Sequence, residues 1–206
     1  MKRIKILGIA PYESMRTLML QVGSRRNDIK LTVFTGDLDA GVEIASKYTQ
    51  NDFDFIISRG GTAQLIRQKS TIPVVEITIS LYDLLRCIQL AENASNHYAL
   101  IGFPNITKNT HFINTLLNYN MDIFTIHNQQ EAEQILTNIS PNDYDVILSD
   151  SISNSVAKTY HFRSLLITSG AESIDSTFDQ VVSYGNMYKE TLHQSKMYRC
   201  LLETHP

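Results

Sequence analysis

The sequence predicts an α/β protein with an internal duplication, in which two similar lobes each contain a small parallel sheet. Short apolar runs alternate with segments of helical periodicity along nearly the whole chain, which is the pattern of successive strand–helix units. The same order of segments then occurs twice, and Asp145 follows Asp54 by 91 positions within two matching runs. Hydrophobic residues make up 43% of the 206 residues and charged residues 19%, so each lobe can form a core.

The first lobe is predicted to span residues 1–96 and to contain four strands. Ser80, with Asp83 three positions later, forms a capping box that opens its last helix, and the apolar stripe of this helix includes Leu84 and Ile88. Near-continuous apolar strands are typical of a parallel sheet that is buried on both faces. The runs that predict the four strands are 3–9, 30–34, 53–57 and 73–77.

The second lobe is predicted to span residues 97–185 and repeats this order. Tyr144–Ser149 matches Phe53–Ser58 nearly residue for residue, and Ser169 with Glu172 repeats the capping box. Two Rossmann-like lobes of this kind are expected to face each other across a cleft that can close on a small molecule. The runs that predict the strands of this lobe are 98–103, 121–126, 144–149 and 165–168.

The last segment, residues 186–206, is predicted to be a linker helix. Apolar side chains recur at helical spacing between Met187 and Leu202. The helix could pack on the first lobe, or its apolar face could pair with a second copy of the chain to form a homodimer.

The segment 58–62 is the strongest candidate for a ligand site. It joins a strand to a helix, and two glycines let backbone N–H groups approach an anion at the helix start. Thr62 is predicted to be the N-cap, and the Arg59 guanidinium could hold a carboxylate or phosphate through two hydrogen bonds. Two alternatives stay open, because the glycines could form only a turn and Arg59 could pair with Asp150 of the other lobe. The candidate ligand-binding residues of this segment are Ser58, Arg59, Gly60, Gly61 and Thr62.

Other loops are expected to lie at the same edge of each sheet, because parallel strands all end on one side. These loops are short, polar and rich in small residues. The further ligand-binding residues predicted from them are Pro11, Tyr12, Ser80 and Tyr82 in the first lobe, and Asn105, Asp150, Ser169 and Gly170 in the second.

Composition argues against several classes of function. A net charge of -3, with Lys and Arg scattered along the chain, gives no basic surface for direct nucleic-acid contact. The first ten residues are too short and too charged for a signal peptide or a membrane span, so a cytoplasmic protein without membrane contact is expected. Cys87 and Cys200 stand alone on helical segments, so we expect no metal site and no disulfide.

Motifs of catalysis are also missing. The sequence contains no phosphate-binding G-x-x-x-x-G-K-[ST] motif and no G-x-S-x-G motif. We therefore predict a sensor without catalytic residues, cofactor or metal. The alternative is an isomerase or lyase that acts on a small carboxylic acid, for which Asp37, Glu76 and Asp150 are the available carboxylates at the cleft edge. A purely structural dimerisation module is a further alternative.

Five blocks of sequence together resemble the amino-terminal receptor domain of the propionate-catabolism activator family of sigma-54-dependent transcriptional regulators. The similarity extends over residues 1–190. The blocks are 57–63, 72–77, 82–86, 102–105 and 167–174.

This resemblance implies a ligand-sensing module with a chelatase-like pair of α/β lobes. In the best-known members of the family the effector is 2-methylcitrate, so a small carboxylate of that kind is the expected ligand. Residues 58–62 and the pair Tyr82 and Asp83 look like the family signature, although Asp83 also caps its own helix. Family members usually continue into an ATPase domain and a helix-turn-helix, which are not in this chain, so it is a fragment of a regulator or a free-standing relative.

Overall fold

The first sheet is built from four parallel amino-terminal strands in the order Ile29–Thr35 (β2), Ile4–Ala10 (β1), Phe55–Ser58 (β3) and Val74–Glu76 (β4). A computed structural model describes residues 3–95 and 97–203, except for the side chains of residues 151, 189 and 192–203. Gly8 of the central first strand pairs with Val33 on one side and with Ile57 on the other. The elements are β1 (Ile4–Ala10), α1 (Glu13–Gly23), β2 (Ile29–Thr35), α2 (Leu38–Ala45), β3 (Phe55–Ser58), α3 (Gly60–Lys69) and β4 (Val74–Glu76).

The second sheet repeats this topology, with parallel strands in the order Asp122–Thr125 (β6), Tyr98–Gly102 (β5), Val146–Ser149 (β7) and Ser164–Leu166 (β8). A last helix, α8, extends over Ala171–Glu203. The predicted α/β fold with two parallel sheets is therefore confirmed. The other elements are α4 (Leu81–Ala94), β5 (Tyr98–Gly102), α5 (Pro104–Leu117), β6 (Asp122–Thr125), α6 (Gln129–Asn138), β7 (Val146–Ser149), α7 (Ser151–Thr159) and β8 (Ser164–Leu166).

The chain forms two compact units whose bounds differ from the predicted lobes. The first unit comprises Met1–Thr78 and Ile174–Pro206, and the second comprises Ile79–Ser173. Helix α4 belongs with the second unit, because Leu84 packs in one buried cluster with Leu100 and Leu148. Helix order along the chain is a local property, whereas the sheet on which a helix packs depends on distant partners. The predicted boundary at residue 96 itself falls outside the described residues.

Helix α8 also differs from the prediction of a separate linker helix that starts at residue 186. It continues through Gly185 without a break, and a side chain at this buried glycine would collide with Ile4 of β1. The glycine therefore permits close packing of α8 on the first sheet and does not end the helix. Residues 204–206 of the predicted linker lie outside the described part of the chain.

The sheets form the cores of both units. Ile6, Leu7 and Ile9 of β1 are fully buried, as expected for a parallel strand that is covered on both faces. Within residues 3–95 and 97–203, no helix combines the length and the apolar character that crossing a membrane requires.

Tyr98, at the start of β5, is expected to make the stability of the second unit depend on pH. Its side chain is buried, and its hydroxyl has no hydrogen-bond partner among the described residues. Burial, with a smaller contribution from the charge of Glu92, raises the pKa of Tyr98 to about 12. Because the unfolded chain loses this proton near pH 10, the folded protein is expected to lose stability above pH 10.

Replacing Tyr98 with phenylalanine should remove this alkaline loss. The variant is expected to be at least as stable as the parent at pH 7, since an unpaired buried hydroxyl is removed. At pH 11 it should retain about 1 kcal/mol that the parent loses. Urea unfolding at the two pH values measures both effects, and equal alkaline losses in parent and variant would contradict the assignment.

Candidate functional site

The first sheet changes its direction of connection between β1 and β3. The chain passes from β1 to a neighbour on one side, whereas β3 leads to a neighbour on the other side. In such sheets the loops after these two strands diverge and leave a crevice where ligands bind. Tyr12 is the N-cap of α1 and Arg59 is the N-cap of α3, so two helix starts flank this point.

A hydrogen bond joins the two loops. The Arg59 guanidinium donates from Nη1 to Tyr12 Oη over 3.1 Å, and Arg59 is only 4% exposed. Pro11, half-buried, connects the end of β1 to Tyr12. The sequence-predicted residues Pro11, Tyr12 and Arg59 are therefore brought together, and a fixed positive charge lies at the switch point of the sheet.

Gly60 gives this point both its backbone geometry and open space. It has a φ of +54°, which favours glycine, and a Cβ atom added to it would meet no heavy atom within 4 Å. Ala63 donates to the carbonyl of Arg59 over 3.2 Å, so the N–H groups of Gly60, Gly61 and Thr62 precede the regular helix hydrogen bonds. Gly61 differs, because a Cβ there would lie 3.2 Å from Leu38.

The Ser58 and Thr62 hydroxyls bind within the protein. Ser58 Oγ donates to the carbonyl of Ile9 over 2.7 Å, which links β3 to β1. Thr62 Oγ1 donates to Asp37 Oδ1 over 2.6 Å and accepts from the N–H of Leu38 over 3.0 Å. The prediction that Thr62 is the N-cap is wrong, because α3 begins two residues earlier, where the glycine backbone turns into the helix.

Leu38 is a feature that the sequence analysis missed. It has a φ of +44° at the first position of α2, and its side chain is 45% exposed. Leucine in this region costs about 1–2 kcal/mol, and such strain clusters at functional sites. The N–H of Leu38 donates to Asp37 Oδ1 and to Thr62 Oγ1, each over 3.0 Å, and no local sequence pattern identifies this conformation.

In the second unit, the predicted residues occupy three different kinds of position. Ser80 and Gly170 lie together, because Asp83 accepts hydrogen bonds from the backbone N–H of both. Asp150 is the N-cap of α7, and its Oδ1 accepts from the N–H of Ser153 over 2.8 Å. Tyr82 and Asn105 are exposed in the first turns of α4 and α5, respectively.

Buried hydroxyls without a hydrogen-bond partner among the described residues distinguish the second unit from Ser58 and Thr62 of the first. Ser149, Ser153 and Ser169 are at most 4% exposed, and their Oγ atoms have no hydrogen-bond partner within the described residues. Ser149 ends β7 beside β5, which is the position that Ser58 has in the first sheet. Ser153 was not predicted as a site residue, whereas Ser149 lies in one of the loops expected at the edge of the second sheet and aligns with Ser58 in the repeat. These hydroxyls can donate to a ligand and accept from it.

The carboxylates available for acid–base chemistry all have structural contacts. Asp37 binds Thr62, and Asp150 caps α7. Glu76 lies 3.7 Å from the Arg67 guanidinium. In the described part of the chain, no cluster of three or more His, Cys, Asp or Glu side chains could hold a metal ion.

Comparison with known proteins extends these observations. Residues 25–190 match the family model described as "Propionate catabolism activator". No match is found among curated proteins. The crystal structure of an NtrC family transcriptional regulator from Clostridium acetobutylicum is similar, with a TM-score of 0.71 and 22% identity over 89% of this chain and 97% of that chain. This similarity shows a common fold.

Weaker structural similarities cover comparable lengths. A transcription regulator like protein from Staphylococcus haemolyticus has a TM-score of 0.41 and 10% identity over 87% of this chain and 92% of that chain. Picrophilus torridus aspartate racemase has a TM-score of 0.36 and 11% identity over 89% and 94% of the two chains. At these scores neither similarity supports a functional argument.

Proposed function

The chain belongs to the propionate catabolism activator family, and from this premise we propose that it is the ligand-sensing domain of a transcriptional regulator. The proposed ligand is a small anionic metabolite, specifically a carboxylate similar to 2-methylcitrate. The proposed site includes the carboxyl end of the first sheet, and the proposed signal is closure of the two units on the effector.

The contact between Arg59 and Tyr12, beside the open backbone of Gly60, carries this proposal. A guanidinium can bind a carboxylate through two parallel hydrogen bonds. The starts of α1 and α3 add backbone N–H groups and the positive ends of two helix dipoles. A di- or tricarboxylate would satisfy more of these donors than a monocarboxylate would.

Side chains of the second unit offer hydrogen-bonding groups for further polar groups of the effector. We propose that Ser149, Ser169 and Asn105 contact the effector, since serine hydroxyls and an exposed amide can bind either a carboxylate or a hydroxyl group. To act as a signal, the effector must bind one conformation better than another. A hundredfold preference corresponds to about 2.7 kcal/mol, which is within the usual range of coupling energies.

Sensing is favoured over catalysis by the engagement of the available carboxylates. Asp37, Glu76 and Asp150 each contact another group of the protein, whereas a general acid or base must reach the substrate. We propose that the domain acts in the cytoplasm, with ATPase and DNA-binding domains as its partners. A homodimer through α8, where Tyr184, Met187 and Tyr188 are exposed, also stays a proposal.

Thermal unfolding in the presence of carboxylates tests this function. Citrate, 2-methylcitrate, succinate and acetate are compared on the full chain, and each sample is then analysed by mass spectrometry. We expect the melting temperature to rise with the concentration of the di- and tricarboxylates, because binding to the folded state stabilises it, and acetate to have less effect. Formation of a product would establish the isomerase or lyase alternative, and the absence of any stabilisation would overturn the proposed ligand class.

A further inference from the structure

The chain passes between its two compact units at two points. It enters the second unit between Thr78 and Ile79 and leaves it between Ser173 and Ile174. Hinge motions in proteins are taken up by a few residues in loops or at the ends of helices and strands. Any hinge between the units would therefore lie at or beside these two crossings.

One carboxylate holds both crossings on the side of the second unit. Asp83 is fully buried. Its Oδ2 accepts from the N–H of Ser80 over 2.9 Å and from Ser173 Oγ over 2.5 Å, and its Oδ1 accepts from the N–H of Gly170 over 2.7 Å. Ser80 follows the first crossing, and Gly170 and Ser173 immediately precede the second.

The electrostatic setting of Asp83 explains why a buried charge is tolerated there. The carboxylate lies in the first turn of α4 and binds the loop that starts α8, so it meets the positive ends of two helices. Arg86 Nη1 lies 3.8 Å from Asp83 Oδ1, and Arg86 also pairs with Glu172. A Cβ atom at Gly170 would collide with Nη1 of Arg86, so the Arg86 guanidinium lies directly against this loop.

Helix α8 has a second attachment, to the first unit, immediately after this loop. Arg26 Nη1 donates to Asp175 over 2.8 Å and to Asp179 over 2.7 Å. The Arg26 guanidinium also lies 5.9 Å from the centre of the Phe178 ring, and Phe178 is fully buried. The bond to Asp28, followed by those to Asp175 and Asp179, raises the pKa of Arg26, so its charge persists.

We propose that Asp83 is a positioning residue that fixes the two crossings to each other and thereby sets the position of the start of α8. Arg26 is its counterpart in the first unit. Movement of the second unit is then transmitted to α8 as a whole and is not absorbed separately at each crossing. The transmission of an effector signal by this route rests on the proposed sensing function, whereas the fixation of the crossings does not.

Hydrogen–deuterium exchange of the full chain without ligand tests the fixation. In an Asp83→Asn variant, the nearly isosteric amide cannot accept all of these hydrogen bonds. Loss of hydrogen bonds to a charged group is expected to raise exchange roughly tenfold at Ser80, Gly170 and the first two turns of α8. Exchange in β5 and β7 should stay unchanged. Unchanged exchange at Gly170 and α8, or a uniform rise throughout the second sheet, would overturn the proposal.

Two further variants separate the fixation from general stability. Ser173→Ala removes one hydrogen-bond donor of Asp83 without changing the net charge, so a smaller rise in exchange, confined to the same segments, is expected. This variant replaces Asp83→Asn in the test if Asp83→Asn does not fold. Arg86→Gln, which removes the exposed partner, should affect α8 less than Asp83→Asn does.

Citrate is then added to the parent protein and to Asp83→Asn. Citrate binding to both with altered α8 exchange only in the parent supports transmission, and equal changes in α8 would refute it. Failure of citrate to bind the parent would count against the sensing function alone.

Discussion

Replacing Arg59 with glutamine is expected to weaken binding of a tricarboxylate such as citrate by about 10- to 100-fold. Hydrogen bonds to charged groups contribute about 1.5–3 kcal/mol, and the amide of glutamine supplies neither the charge nor the paired donors of the guanidinium. Arg59→Lys retains the charge but loses the planar donor pair, so an intermediate loss is expected. Isothermal titration calorimetry measures the three affinities.

Arg67→Gln is the matched control for this experiment. It lies in the last turn of the same helix, is exposed, and changes the net charge by the same amount. We expect near-parent affinity in this variant. Because Arg59 is buried, unfolding of each variant in urea must also be measured. Tyr12→Phe, which removes the hydroxyl that accepts a hydrogen bond from Arg59 without changing the net charge, should give a smaller loss of affinity. Equal affinity of parent and Arg59→Gln would show that the ligand does not bind at this arginine.

Replacing Leu84 with alanine is expected to destabilise the second unit by about 2–5 kcal/mol, the usual cost of truncating a fully buried leucine. Leu84 is 1% exposed and packs with Leu148 and Ile167 of the second unit. Hydrogen exchange should therefore increase in β5 and β7. If Leu84 instead stabilised the predicted first lobe, the increase would occur in β1 and β3.

Leu7→Ala provides the reciprocal control for the unit boundaries. Leu7 is fully buried in the cluster of the first sheet, with Ile56 and Ile66. Its truncation should raise exchange in β1 and β3 by a similar free energy and leave β5 and β7 protected. Urea unfolding followed by exchange gives both the size and the location of each effect. A single uniform change throughout the chain in both variants would show that the units do not behave separately.

The candidate site could be predicted in part because its backbone arrangement is local. Gly60 follows an apolar strand and precedes a helix, and this pattern identifies a strand–turn–helix junction without tertiary information. The partner of Arg59 could not be read in the same way, since Tyr12 lies 47 positions away and meets it only because β1 and β3 are neighbours. The positive φ of Leu38 could not be predicted from the sequence either, because leucine has no intrinsic preference for this conformation.

Hydrophobic periodicity and turn residues were enough to predict the eight strands, the duplication and the loops at the carboxyl ends of the strands, because these signals act over a few neighbouring positions. Three arrangements became visible only in the folded chain: α4 packs with the second sheet, α8 continues from its first turn through Gly185, and Asp83 binds Gly170 from 87 positions away. These arrangements depend on which distant surfaces exclude water together and which buried charge finds its donors. No local pattern of residues contains that information.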